Sequence, residues 1–139
     1  MSHQDPDVAA VLRQHDCSVT TQRLLVFGLL ADGKPLSMAE LQIMAAGNID
    51  RASLYRTIAL FERLGIVRRV HLGWKYKVEL SDRFVEHHHH LTCLKCHAVI
   101  PISELELEGF ISGVAAQHHF VPTEHQIEVQ GYCHACRET

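Results

Sequence analysis

Two cysteine pairs, Cys93-x-x-Cys96 and Cys133-x-x-Cys136, carry the clearest chemistry in this sequence. Each presents two thiols a short reach apart, and four thiolates close tetrahedrally around zinc. The 36 residues between the pairs exceed the loop of a compact zinc ribbon. They suit a metal that ties the start of a small unit to its end. Two disulfides are the alternative, and a cytosolic setting argues against them. A redox CxxC is weaker still, because there are two. The fifth cysteine, Cys17, has no partner in sequence and reads as a small packing residue. Directly before the first pair stands Glu86-His87-His88-His89-His90. In an extended segment alternate side chains face opposite ways, so His88 and His90 point to one side, His87 and His89 to the other. One segment can then feed two metal sites. Imidazole and carboxylate ligands suit Zn, Fe, Mn or Ni without choosing among them. A solvated polar turn would explain one or two histidines, not four in a row. His97, His118, His119 and His134 read as surface or hydrogen-bonded histidines.

These residues need elements to hold them. The chain has 139 residues, 47% of them apolar, enough for one ordinary domain or two small ones that need help to stay folded. No apolar run is long enough to span a bilayer, and the start, MSHQDPDVAA, is polar without a signal-like segment. A cytoplasmic protein is expected. The net charge of −3 is uneven: residues 1–80 carry ten basic and eight acidic side chains, residues 81–139 three and eight. Within 51–77, seven basic residues face one acid, Glu62, which a nucleic-acid contact surface and a solvated helix face explain equally well.

The first half reads as helices closed by a hairpin. Asp5-Pro6 opens a helix over about 6–15. Thr20 or Thr21 caps a second through about Ala31, which Asp32-Gly33 ends. Ser37 and Glu40 form a capping box for a third, about 37–46. Asp50 caps a fourth, about 50–64, stopped by Gly65, with Leu54, Ile58 and Phe61 facing the core and Ser53, Arg56 and Arg63 away from it. Ile66–His71 and Lys75–Leu80 alternate as a strand pair turning at Gly73. Short helices followed by a hairpin suggest a winged helix over 1–80, whose fourth helix enters the major groove while the hairpin lies over the backbone. Any small helical domain ending in a hairpin has the same outline. Residues 81–139 form a small α/β unit: a strand Val99–Ile102, a helix of about 103–118 with a Ser103–Glu106 capping box, and a strand Gln126–Tyr132. At that size a metal staple is expected. The fold class is α+β.

Taken together these motifs resemble the ferric uptake regulator superfamily of iron, zinc, manganese and peroxide sensors. The matching pieces are Val19-Thr-x-x-Arg23, Ala52-Ser-Leu-Tyr55-Arg56-Thr with Gly65-Ile66, His88-x-His90-Leu-x-Cys93-x-x-Cys96, and Gly131-x-Cys133-x-x-Cys136. The resemblance covers nearly the whole chain. It implies a homodimer paired through the C-terminal halves, binding a palindromic, AT-rich double-stranded DNA operator as a metal-loaded repressor. By position it implies DNA contacts from Tyr55 and Arg56, with Ser53 on the same helix face, and from Arg23 to the neighbouring minor groove or backbone. It makes Cys93, Cys96, Cys133 and Cys136 a structural zinc site.

The sensing site departs from the iron-sensor pattern. Gly33-Lys34-Pro35 offers no ligand where that pattern has a histidine, and Pro101 stands where it has an acid. Glu79, His88 and His90 remain, and the resemblance adds His71, in the wing, where the family's zinc sensors draw a ligand from the DNA-binding half; as a four-ligand regulatory set these N/O donors lean to zinc over six-coordinate iron. A further family site maps onto His87, His89, Glu108 and His125, with His89 in place of an aspartate, which also leans to zinc. The expected function is a metal-dependent repressor of metal-homeostasis genes, zinc-responsive in preference to iron-, manganese- or peroxide-responsive. The rivals are a zinc store or chaperone and a metallohydrolase. The latter needs an open metal position beside a general base, and no HExxH motif is present.

Overall fold

The computed structural model describes residues 7–138, and the chain divides into two units, one ending at Glu86 and the other starting at His87. The first unit begins with α1 (Val8–Gln14), whose N-cap Asp7 accepts from the Ala9 N–H. Asp5 and Pro6, expected to open this helix, lie outside the described residues. Helix α2 (Thr21–Leu29) is capped by the Thr20 hydroxyl and α3 (Met38–Met44) by Ser37. The Glu40 carboxylate, expected to complete a capping box, lies 3.5 Å from Lys77 Nζ. Helix α4 (Arg51–Arg63) has Asp50 as N-cap, accepting from the Ser53 N–H. Gly65 ends it with φ +72°, a left-handed turn that glycine adopts without penalty. Leu54, Ile58 and Phe61 on α4 pack with Leu12, Val26, Leu30 and Leu41 in the core.

Strands β1 (Val67–Leu72) and β2 (Lys75–Leu80) form the antiparallel hairpin, with Val67 opposite Leu80, Arg68 opposite Glu79 and His71 opposite Tyr76. Leu36 joins its edge by exchanging backbone hydrogen bonds with Val78. The two-residue turn is Gly73-Trp74; Gly73 has φ +66° while Trp74 is not among the positive-φ residues, the pattern of a type II′ turn. Helices closed by this hairpin are the winged helix expected. The boundary expected at residue 80 falls six residues early. Ser81 donates its N–H to the Ile66 carbonyl and its hydroxyl to that of Gly65, and Phe84 packs edge-on against Phe27 with ring centroids 5.1 Å apart. Residues 81–86 therefore belong to the first unit.

The second unit is a three-stranded sheet in the order β4-β3-β5, built from β3 (His89–Cys93), β4 (Val99–Ile102) and β5 (Glu128–Gly131). Strand β3 is central, antiparallel to β4 and parallel to β5. Parallel pairing requires a crossover, and α5 (Leu105–Gln117) supplies it. The Ser103–Glu106 capping box does not form. The first helical bond runs from the Glu108 N–H to the Glu104 carbonyl, so Glu104 is the N-cap, without a side-chain bond, and Ser103 stands outside the helix. Among the described residues from His87 onward, the buried side chains are His89, His90, Thr92 and Cys93. A unit with so little aliphatic core depends on other cross-links to stay folded.

Candidate metal centres and nucleic-acid interface

The ends of the second unit meet at the cysteines. Cys93 closes β3, Cys96 follows in the turn toward β4, and Cys133 and Cys136 follow β5. All four Sγ atoms lie within 4.8 Å of one another, with Cys96 and Cys133 3.7 Å apart. Four sulfurs at zinc-bond length in a tetrahedron stand about 3.8 Å apart, so the set is within a small adjustment of what the ion requires. The backbone N–H groups of Cys133 and Cys96 both point at Cys93 Sγ and, in that order of strength, pull its thiol down to about 5. Cys136 goes the other way, to about 12, through its contact with Cys133 and then burial. Thiols this close resist ionising together unless a cation sits among them. No disulfide joins them.

The histidine run behaves as its alternation requires, its side chains going to different places. His87, His89, Glu108 and His125 converge from the start of β3, from α5 and from the segment before β5. Glu108 takes His87 Nε2 at 3.1 Å and His89 Nε2 at 2.6 Å on one oxygen, and His125 Nε2 at 2.7 Å on the other. Burial pushes the Glu108 carboxyl up, but the His89 hydrogen bond and the charges of His87 and His125 outweigh it and hold the group below its usual range. Ligand atoms this close suit one metal ion, with one condition. The Ile127 N–H donates to His89 Nδ1 at 3.0 Å, which leaves the proton of a neutral His89 on Nε2, facing Glu108. Ligation through Nε2 requires that proton to leave and the Ile127 bond to be given up.

The four residues expected as regulatory ligands are divided between the two units. His88 and His90 belong to the second, with ring centroids 4.7 Å apart. His71 and Glu79 belong to the first, and the hairpin register separates them. Cross-strand partners share a face and neighbours along a strand alternate. Glu79 thus lies with Arg68, Val70 and Leu72, and His71 with Tyr76 and Val78 on the opposite face. His71 is also exposed near the turn, three rungs from Glu79. The expectation that both ligate one metal is corrected: His71 leaves the set. Glu79 is fully buried and its Oε1 accepts from Arg68 Nε at 2.9 Å, while Arg68 Nη1 reaches Asp82 at 3.0 Å. Arg68 and Asp82 escaped the sequence reading. A two-residue turn at 73–74 fixes the register and would have placed Arg68 opposite Glu79.

The four residues expected at DNA lie in the first unit. Arg23, Ser53 and Arg56 line one open cleft of about 480 Å³ with Thr20, Gln22 and Thr57. Tyr55 is exposed on the next position of α4, with Arg51 over its ring at 5.5 Å. Arg23 is anchored by donating to the Ser18 carbonyl at 2.6 Å. The Ser53 hydroxyl donates to Asp50 Oδ1 at 2.6 Å and accepts from Arg56 Nη2 at 3.1 Å. Ser53, by its hydroxyl and then its backbone N–H, holds the Asp50 carboxyl below its ordinary value. A cleft with two guanidinium groups and several hydroxyls is suited to phosphate oxygens.

Residues 14–130 match the model of the ferric uptake regulator family. The ferric uptake regulation protein of Escherichia coli K12 is 32% identical over 140 residues, covering 95% of this chain and 93% of its own. That of Yersinia pestis is 37% identical over 93 residues, a match spanning 65% of this chain and 62% of the relative. The crystal structure of the Vibrio cholerae ferric uptake regulator superposes with a TM-score of 0.76 at 31% identity, over 91% of this chain and all of that one.

Proposed function

We propose, starting from the fact that this chain belongs to the ferric uptake regulator family, one of metal-responsive transcription regulators and not of enzymes, that it is a cytoplasmic repressor. It binds a palindromic, AT-rich DNA operator as a homodimer once a regulatory metal is loaded. The observation that carries the reading is the pairing, in one chain, of an arginine-lined cleft on the helical unit with clustered histidine and cysteine ligands in the other. Tyr55 and Arg56 read base edges, Arg23 and Ser53 contact the backbone, and the four cysteines hold structural zinc. The exposed apolar side chains of α5 and the sheet, such as Phe110, Val114 and Val129, supply the homodimer contact. Among the described residues no helix is long and apolar enough to cross a membrane.

The regulatory ligands are Glu79, His88 and His90. A metal that takes ligands from both units favours whichever arrangement brings them together and gains nothing from the others. Moving the population from mostly inactive to mostly active requires a preference of about 10⁴-fold, within reach when part of the ligand set is missing from the disfavoured form. Zinc is the proposed effector, supported by the nitrogen-rich, low-number donor set. Iron is the second reading, favoured by the names of the E. coli and Y. pestis relatives. His87, His89, Glu108 and His125 form an additional metal site.

The test is selection of duplexes from a random DNA pool by protein stripped of labile metal, with buffered zinc, with anaerobic Fe(II), or with neither. A palindromic site enriched only with metal is the expected result, and the metal that works decides between zinc and iron. No enrichment under any condition, from a folded dimer still holding its cysteine-bound zinc, sinks the repressor reading in favour of metal storage. Replacing His88 and His90 together with Ala abolishes the metal dependence; a double variant that still requires metal refutes the ligand assignment.

A further inference from the structure

The tip of the hairpin carries a side chain that the proposed contacts leave unused. Trp74, the only tryptophan in the chain, is 88% exposed at the second position of the turn. The Lys75 ammonium lies 4.9 Å from its ring centroid. Behind it Arg69 sits over Tyr76 at 4.1 Å, so the hairpin presents two aromatic rings, each faced by a cation. From His71 to Lys77 the sequence contains no acid. A tryptophan ring can bury about 150–250 Å² against a partner, so one held out in water beside a cation has that contact area to offer. The type II′ turn holds the ring at the tip of a short paired hairpin.

We infer that Trp74 and Lys75 form a DNA contact of their own at the wing tip, the indole packing on the deoxyribose wall of a groove while Lys75 takes the adjoining phosphate. This rests on the DNA-binding reading above. The choice of DNA follows from charge: the seven basic residues against one acid over 51–77 run from α4 through this turn. Sugar edges next to phosphates offer an apolar wall beside an anion, the counterpart of a ring beside an ammonium. Such a contact adds affinity with little sequence preference, because every nucleotide has the same sugar and phosphate.

The lone tryptophan makes the test direct. Metal-loaded, zinc-stapled protein is titrated with a labelled duplex recovered by the selection and with a scrambled duplex of equal length. Binding is read from label anisotropy and Trp74 from its emission and acrylamide quenching. Trp74 is expected to be quenched freely in the metal-loaded protein and protected once duplex binds. Trp74→Ala weakens both duplexes about tenfold, and Trp74→Phe less. The slope of log K against log salt stays the same in Trp74→Ala but falls by about one in Lys75→Ala. The inference is overturned, with DNA binding intact, if the bound complex leaves Trp74 quenchable and Trp74→Ala binds as tightly as the parent. It is also overturned if Trp74 is already protected before DNA is added, which assigns the tip to a protein contact. Failure to bind either duplex in any metal condition removes the DNA-binding reading itself.

Discussion

Replacing Arg68 with Met isolates the energetics of the buried Glu79. The Glu79 side chain is fully buried and that of Arg68 is 17% exposed, so their ion pair is close to the dry limit. Removing one partner of such a pair costs up to about 3–5 kcal/mol, because the strongest compensation of the remaining buried charge is lost. The second contact of Arg68, to Asp82, is 36% exposed on the acid's side and adds no more than about 1 kcal/mol. For a unit of this size a loss of that magnitude lowers Tm by on the order of 15 °C or more. The assay is thermal and urea unfolding of the protein stripped of labile metal, followed by circular dichroism. Replacing the pair together, Arg68→Met with Glu79→Leu, recovers most of the loss, since neither charge then needs a partner. The same substitution bears on metal loading. A metal at Glu79 competes with the Arg68 guanidinium, so Arg68→Met binds regulatory zinc at least about tenfold more tightly, and zinc restores part of its lost stability. A Tm within about 2 °C of the parent, a shift that corresponds to well under 1 kcal/mol, refutes the claim that Glu79 needs Arg68. Lost stability with unchanged zinc affinity refutes the competition.

Three further outcomes follow from the geometry. Cys93→Ser removes the sulfur that draws two backbone N–H groups; zinc content falls by one per chain and the second unit loses its far-ultraviolet signal, while α1–α4 stay folded. Asp50→Ala deletes the α4 cap and frees Ser53, lowering the midpoint of urea unfolding. The pH sign is fixed by the depressed Asp50 carboxyl: its contribution is present above the unfolded value near 3.8 and is lost as pH falls through the lower folded value. The Asp50→Ala variant and the parent therefore converge in stability only in strong acid. His89→Ala empties the additional metal site without touching the cysteine zinc, read as loss of the weaker class of bound metal in a chelator titration.

Much of this was legible in the sequence, and its local character explains which parts. Caps and stops are written in single residues, so Thr20, Ser37, Asp50 and Gly65 bound their helices where the sequence puts them. The four cysteines and the alternation of the histidine run are likewise local, and both groupings form. The parallel β3–β5 pairing depends on residues nearly forty positions apart and leaves no local trace. Ser103 with Glu106 satisfied the box pattern but lost to a helix that starts one residue later. His71 failed for a different reason. Its place in the wing matches where the family's zinc sensors draw a ligand, but position along a strand does not give the face, and one rung's parity decides whether two side chains can meet.

The run from His87 to His90 crosses from a loop into the central strand, with its last two side chains fully buried. Consecutive residues of one strand cannot turn independently: a ligand that fixes His89 on one face also fixes His90 on the other. Ions bound by the two groupings would then share a single rigid lever, and filling either lowers the ordering entropy left for the second to lose. Reciprocity makes the effect equal in both directions. Were both groupings to hold metal, their occupancies would be linked, and the response to rising metal would be steeper than either grouping alone allows.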